Sequence, residues 1–228
     1  MTVLFRKTPE IIMREPVCKS RFLYYNILQR DERKINTDGE GAGMTDEQLI
    51  QTALDCGATH AEIIGQESIV LNAEFRTMCE ANRCGAYGKC YMCPPDVGPV
   101  DELMRKIRGY EKGLFYQVIA PLEDSFDIEG MAEAKKLLVQ LSQRLLDALR
   151  PVFGDGALHL SGGGCGLCPT CAKATEEPCR HPDRAMASLE SCGMDVYNTT
   201  KHTSMKYVNG ANTVTYFGMV LYTEREHG

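Results

Sequence analysis

Eight of the eleven cysteines in this 228-residue chain fall in two short runs, and a fold that carries them must bring those thiols to loops that can use them. The later run is Cys165, Cys168 and Cys171 at two-residue spacing, then Cys179 after a gap of seven. Three thiols so spaced can wrap one face of a metal centre, and a more distant cysteine can close it. Gly162, Gly163, Gly164 and Gly166 stand among them. Lacking a Cβ, such a backbone turns sharply and can aim its N–H groups at sulfur. The earlier run is Cys79, Cys84, Cys90 and Cys93, with gaps of four, five and two residues. Gly85 and Gly88 make it compact, and Pro94 and Pro95 are expected to hold its exit extended. Four thiolates within fifteen residues repel one another unless protons or a metal neutralise them.

The opening of the later run matches the spacing of bacterial ferredoxins, although the gap before Cys179 is longer and the prolines fall at 169, 178 and 182. A disulfide framework fits poorly: the number of cysteines is odd, and the chain is too long to need covalent staples. Structural zinc competes better. Zinc sites favour two separated knuckles, whereas three thiols in close succession are more typical of a cluster. Taken alone, the earlier run fits zinc as well as iron–sulfur. The expected cofactor is therefore a pair of [4Fe–4S] clusters on Cys79, Cys84, Cys90, Cys93, Cys165, Cys168, Cys171 and Cys179, with zinc the alternative. Which cysteines share a cluster is open, because two-cluster ferredoxins exchange ligands between runs. Cys18, Cys56 and Cys192 read as packing residues, and His60, His159 and His202 as structural. No Gly-x-Gly-x-x-Gly follows a strand and no Walker loop occurs, which leaves nucleotide binding without support.

A net charge of −6 argues against nucleic acid or a membrane surface as partner. The first residues carry charges too early for a signal core, and no apolar run is long enough to span a membrane. A cytoplasmic, reducing setting follows. Residues 1–43 read as an N-terminal segment, with a short strand around Phe22–Ile27 and a glycine-rich linker; 44–228 read as one metal-binding domain.

Thr45 and Gln48 form a capping box ahead of a helix with Leu49, Ile50, Ala53 and Leu54 on one face, and Gly57 ends it. Short strands are expected at Ala61–Ile64 and Ile69–Leu71, a helix at Val100–Arg108 and a buried strand at Leu114–Ala120. Leu138, Leu141, Leu145 and Leu149 mark a long helix over Met131–Arg150, stopped by Pro151. A strand at Ala157–Leu160, a helix over Pro182–Ser191 and a strand at Thr213–Thr223 complete the set. Both cysteine runs are expected in connections. The fold class is α/β or α+β, a small mixed β-sheet packed with helices and carrying two cysteine-rich metal-binding loops.

The segments Cys84-Gly-Ala-Tyr-Gly and Cys93-Pro-Pro, the Cys165 triple, Pro178-Cys179-Arg180 and Ser188-Leu-Glu-Ser-Cys-Gly-Met-Asp-Val together resemble one family. It is the domain-of-unknown-function family of predicted metal-binding proteins of anaerobic bacteria and archaea. The resemblance covers about residues 45 to 223 and implies metal binding through these cysteines, with no established reaction. Cys90 departs from it, since the family more regularly has an aromatic residue before Cys-Pro-Pro.

Two clusters in one chain favour electron transfer, or an accessory role in anaerobic redox metabolism, with a redox protein as partner. Arg83, Lys89, Lys173, Arg180 and His181 are the nearby cations in sequence that could offset cluster charge. If Cys90 is not a ligand, three thiols leave one iron open, and the chain becomes an enzyme with a Lewis-acid or redox site. A zinc-stabilised interaction protein is the third reading.

Overall fold

A computed structural model of the chain describes residues 43–224. The strand expected near Phe22, the linker up to residue 42 and Cys18 lie outside the described residues. Helix α1 (Asp46–Asp55) starts where the capping box puts it, with the Thr45 side chain accepting from the Gln48 N–H and Gln48 reaching back to the Thr45 N–H. Strand β1 (His60–Gly65) and a 3-10 turn (Gln66–Ser68) follow. Helix α2 (Phe75–Glu80), helix α3 (Val100–Ile107) and strand β2 (Lys112–Pro121) come next. The long helix α4 (Ile128–Phe153), strands β3 (Leu158–Leu160) and β4 (Thr213–Tyr222), and the short helix α5 (Val196–Thr200) between them complete the order.

The expected class, α/β or α+β, holds. The sheet runs β1-β2-β4-β3, and every strand pairing is antiparallel where a mixed sheet was expected. Its parallel contact is an isolated bridge between Ser161 and Ser188. Alternation along the strands divides the core in two. Leu114, Tyr116, Val118, Val220 and Tyr222 face α1 and α4, meeting Leu49, Ala53, Leu138, Leu141 and Leu145. Phe115, Phe217, Met219 and Leu221 face the other way, onto α3 and the chain around Leu189, Cys192 and Met194. Gly218 pairs with Tyr116 across the ladder, and a Cβ there would collide with the tyrosine ring. Among the described residues, no helix is long and apolar enough to cross a membrane.

Three boundaries differ from expectation. Pro151 does not stop α4, which runs on to Phe153. A proline in the last turn forfeits one backbone bond, and the helix ends at Gly154, whose N–H bonds the Arg150 carbonyl at 2.8 Å with φ at +57°. Ile69–Leu71 forms only a bridge from Leu71 to Met194. The expected helix at 182–191 is absent apart from a 3-10 turn at Glu190–Cys192. Residues 185 to 189 are buried without a break, and their backbone bonds go instead to Ser161, which donates to Ala187 and accepts from Leu189.

The result places edge strand β3 beside the site. At Leu160 it hands the chain to the Gly162–Gly164 turn, directly above the first half of α4. Gly162 is pressed tightly there: an added Cβ would stand 2.9 Å from the Phe217 carbonyl and 3.2 Å from Leu138.

Candidate metal centre

The two cysteine runs do not form two separate loops; they pack into one body. Tyr91 and Met92 of the earlier run are buried against Ala172 and Ala185 of the later one. The Tyr91 hydroxyl donates to the Glu177 carbonyl at 2.8 Å, and Lys173 pairs with the buried Asp96 at 2.7 Å. The chain after Cys93 is not extended: the Pro94–Pro95 bond is cis, and the Val97 N–H turns back to the Cys93 carbonyl at 3.0 Å.

Where the runs meet, Cys90, Cys165, Cys168, Cys171 and Cys179 line one cavity of about 390 Å³, open solvent at its mouth included. Cys90 thus stands with the later run, although only two residues separate it from Cys93. Cys79, at the end of α2, is half-buried, Cys84 is exposed and Cys93 is buried. Cys79 therefore sits in a helix and not in a connection. All eight thiols are free, as are Cys56 and Cys192. Cys192 lies in the core, where burial pushes its thiol up to about 12.

The sulfurs are surrounded by donors. Backbone N–H groups of Met92 and Cys165 point to Cys90, those of Leu167 and Met186 to Cys165, and that of His181 to Cys179. Such bonds favour thiolate over thiol. Against them, burial holds the Cys165, Cys179 and Cys79 thiols above their ordinary range. Cys90 and Cys93 titrate as a pair. Sharing a proton lowers the first ionisation, on Cys90, and raises the second, on Cys93.

Of the cations named from sequence, Arg180 and His181 line the cavity, Lys173 serves Asp96, and Arg83 and Lys89 are exposed. Sequence proximity missed Lys135, on α4. Its amine donates to the Gly162 carbonyl, and burial holds its pKa below the ordinary lysine range against the opposing pull of Cys165, Glu190, Cys93 and Cys90. It also missed Glu190, whose buried carboxyl is pushed up by desolvation despite the Ser188 and Gly163 donors turned toward it. Neither stands within twenty residues of all the thiols it faces, so only the fold could reveal them.

Two of the three histidines expected to be structural, His60 and His159, are held by side-chain partners. His60 Nδ1 meets Gln117 at 2.9 Å, and His159 Nε2 meets the buried Tyr116 hydroxyl at 2.7 Å. From Tyr116 a polar chain continues through Ser142, at 2.8 Å, to Ser161, at 3.2 Å.

Among the described residues, no three Cys, His, Asp or Glu side chains stand close enough together to hold a single metal ion. The donor set nevertheless fits a soft metal. Five thiols on one cavity, with N–H groups aimed at their sulfurs, match what thiolate-held zinc and iron–sulfur sites require.

The model of one family, predicted metal-binding proteins (DUF2284), matches residues 62–222. The chain belongs to that family. The DUF2284 match spans both cysteine runs and all four strands except the first two residues of β1. No curated protein and no solved structure matches the chain. Membership of DUF2284 makes this a predicted metal-binding domain, and the cavity holds thiols of the kind such a role needs.

Proposed function

We propose that this DUF2284 protein is a cytoplasmic iron–sulfur protein with two [4Fe–4S] clusters, serving electron transfer or an accessory role beside a redox partner in anaerobic metabolism. The observation that carries the reading is the convergence of thiols from both runs on one body. Five line the cavity and three more, Cys79, Cys84 and Cys93, lie next to it. Two cubes take eight thiolates, so one of the five is shared across the seam. Exchange of one ligand between runs is how two-cluster ferredoxins are built. Cys90 is the natural thiol to share, since it lines the later run's cavity while only two residues separate it from Cys93. The N–H groups on sulfur would hold the cluster's negative charge, and clusters placed side by side can pass electrons with no substrate pocket.

A second reading is favoured by a separate observation. With Cys90 turned to the cavity, Cys79, Cys84 and Cys93 remain as a set of three, which suits a cluster with one open iron. A second cleft is lined by residues of the segment that follows Cys179. Arg180 and His181 line the cysteine cavity, while Pro182 and Asp183 line the cleft together with Arg150 and His159.

Anaerobic purification followed by iron, sulfide and zinc assays tests the proposal. About eight irons and eight sulfides per chain are expected for two clusters. Near-stoichiometric zinc without sulfide, in protein kept free of oxygen and reconstituted with iron, would instead favour a zinc-stabilised interaction protein.

A further inference from the structure

Lys135 is set apart from the other cations near the thiols by where its charge ends. It leaves α4 on the side that faces the Gly162–Gly166 turn, and its amine donates to the Gly162 carbonyl. A Cβ on Gly163 would stand 3.5 Å from that amine, and one on Gly166 would stand 3.9 Å from its Cε. The end of the lysine thus lies in van der Waals range of the turn at both glycines. Burial pulls the pKa of that amine below the ordinary lysine range, and Cys165 of the later run with Cys90 and Cys93 of the earlier one opposes the pull and favours the charged form. These residues meet at the seam, where Cys93 Sγ lies 3.7 Å from the place a Gly164 Cβ would occupy. Arg180 and Lys173, by contrast, are engaged at the rim by the Thr170 carbonyl and by Asp96.

We propose that Lys135 is the counter-charge of the metal centre, a positioning residue that holds the seam between the two cysteine runs against the repulsion of their thiolates. The proposal rests on the thiolate-held metal argued above and on no particular metal. Collecting anionic sulfurs in a half-buried site is costly unless a cation shares it. Glu190 also faces Lys135, but the Ser188 hydroxyl and the Gly163 N–H are turned toward its carboxyl as well. The amine thus serves the turn from below through the Gly162 carbonyl, while its charge serves the sulfurs. For a redox-active centre the same charge favours the more negative, reduced state and raises the potential.

Charge and tether can be separated by substitution. Lys135→Gln keeps a donor for the Gly162 carbonyl and loses the charge; Lys135→Arg keeps the charge. Wild type, both variants and Lys135→Met are reconstituted anaerobically with ferrous iron and sulfide, and release of iron to a chelator is timed. Circular dichroism of the metal-free proteins checks folding, and the Gln and Arg pair decides the matter if the Met variant fails to fold. Release from Gln and Met is expected to be about 10- to 100-fold faster than from wild type, with Arg restored to near the wild-type rate. In the retained fraction, the reduction potential should fall in Gln and recover in Arg. A Gln variant that holds iron as long as wild type overturns the proposal, because the tether alone would then suffice. An Arg variant as leaky as Met overturns it too. Wild type that takes up zinc in place of iron sinks the iron reading alone, and the same comparison is then made with zinc; wild type that holds no metal sinks both.

Discussion

Asp96 and Lys173 meet at 2.7 Å across the seam between the two cysteine runs, seventy-seven residues apart in the chain. Asp96 follows Pro94 and Pro95, and Lys173 lies in the 3-10 turn that begins after Cys171. The carboxylate is nearly buried, while the amine keeps partial access to water and lies 5.4 Å from the centre of the Tyr91 ring. Asp96→Asn keeps the shape but removes the charge. Losing a charge-assisted bond of this kind costs about 1.5–3 kcal/mol. Urea unfolding of the metal-free protein should show that loss, and Lys173→Met should add little once Asp96 is gone, because the two act as a pair.

Gly162→Ala tests the turn that presents the later run. The added methyl meets a backbone carbonyl, of Phe217, which cannot swing aside as a side chain would. Overpacking of that sort costs about 1–3 kcal/mol. The variant should melt earlier and hold metal less well than Gly85→Ala, since nothing lies within 4 Å of a Cβ at Gly85 and only the strain of its positive φ remains. Thermal melts of the apo proteins and metal assays of the reconstituted ones make the comparison.

Arg184 and Asp147 give the acid limb of the stability profile. The guanidinium grips both carboxylate oxygens at 2.8 Å, and its Nε bonds Gln143 at 2.7 Å, tying the segment after Cys179 to α4. The Arg184 side chain holds the Asp147 carboxyl below its ordinary range. A depressed carboxyl contributes stability that is present above the unfolded value, about 3.9, and is lost as pH falls through the lower folded value. Asp147→Asn should therefore lower stability at neutral pH and flatten the decline below about pH 4. Unfolding midpoints measured from pH 2 to 6 read both effects, and a slope unchanged from wild type would assign the acid limb to other carboxylates.

Much of the frame was legible before the structure, for local reasons. The Thr45 box, the leucine repeat of α4 and the strand cores each depend on neighbours a few residues away, which periodicity can see. The segment 182–191 misled because Ala185, Leu189 and Cys192 fit a helical face, yet the residues between them are buried too, and Ser161 takes their backbone bonds. Tertiary partners outbid local pattern there. The cysteines were legible as a set but not as an arrangement. Nothing in the spacing of Cys90 and Cys93 reveals that a turn would send one to the later run's cavity and leave the other buried beside Gly164. Lys135 was invisible for the same reason: the α4 pattern marks it only as a polar residue ahead of the first leucine.

Cys90 offers the sharpest test of the arrangement. It lines the cavity with the four cysteines of the later run, and only two residues separate it from Cys93 of its own run. If each centre needs four thiolates, the eight sulfurs divide evenly only when one of those five reaches back to Cys79, Cys84 and Cys93. Serine at position 90 would then leave one centre a ligand short. Cys90→Ser is expected to lose about four irons and their sulfides, one whole cluster. Cys56→Ser, at the end of α1 and remote from the cavity, should lose none and controls for handling. Iron unchanged in Cys90→Ser would mean that the later run closes its cluster unaided and that the set of three stands alone. In that case the open-iron enzyme becomes the better reading, and an added small anion or thiol should perturb the spectrum of the remaining centre directly.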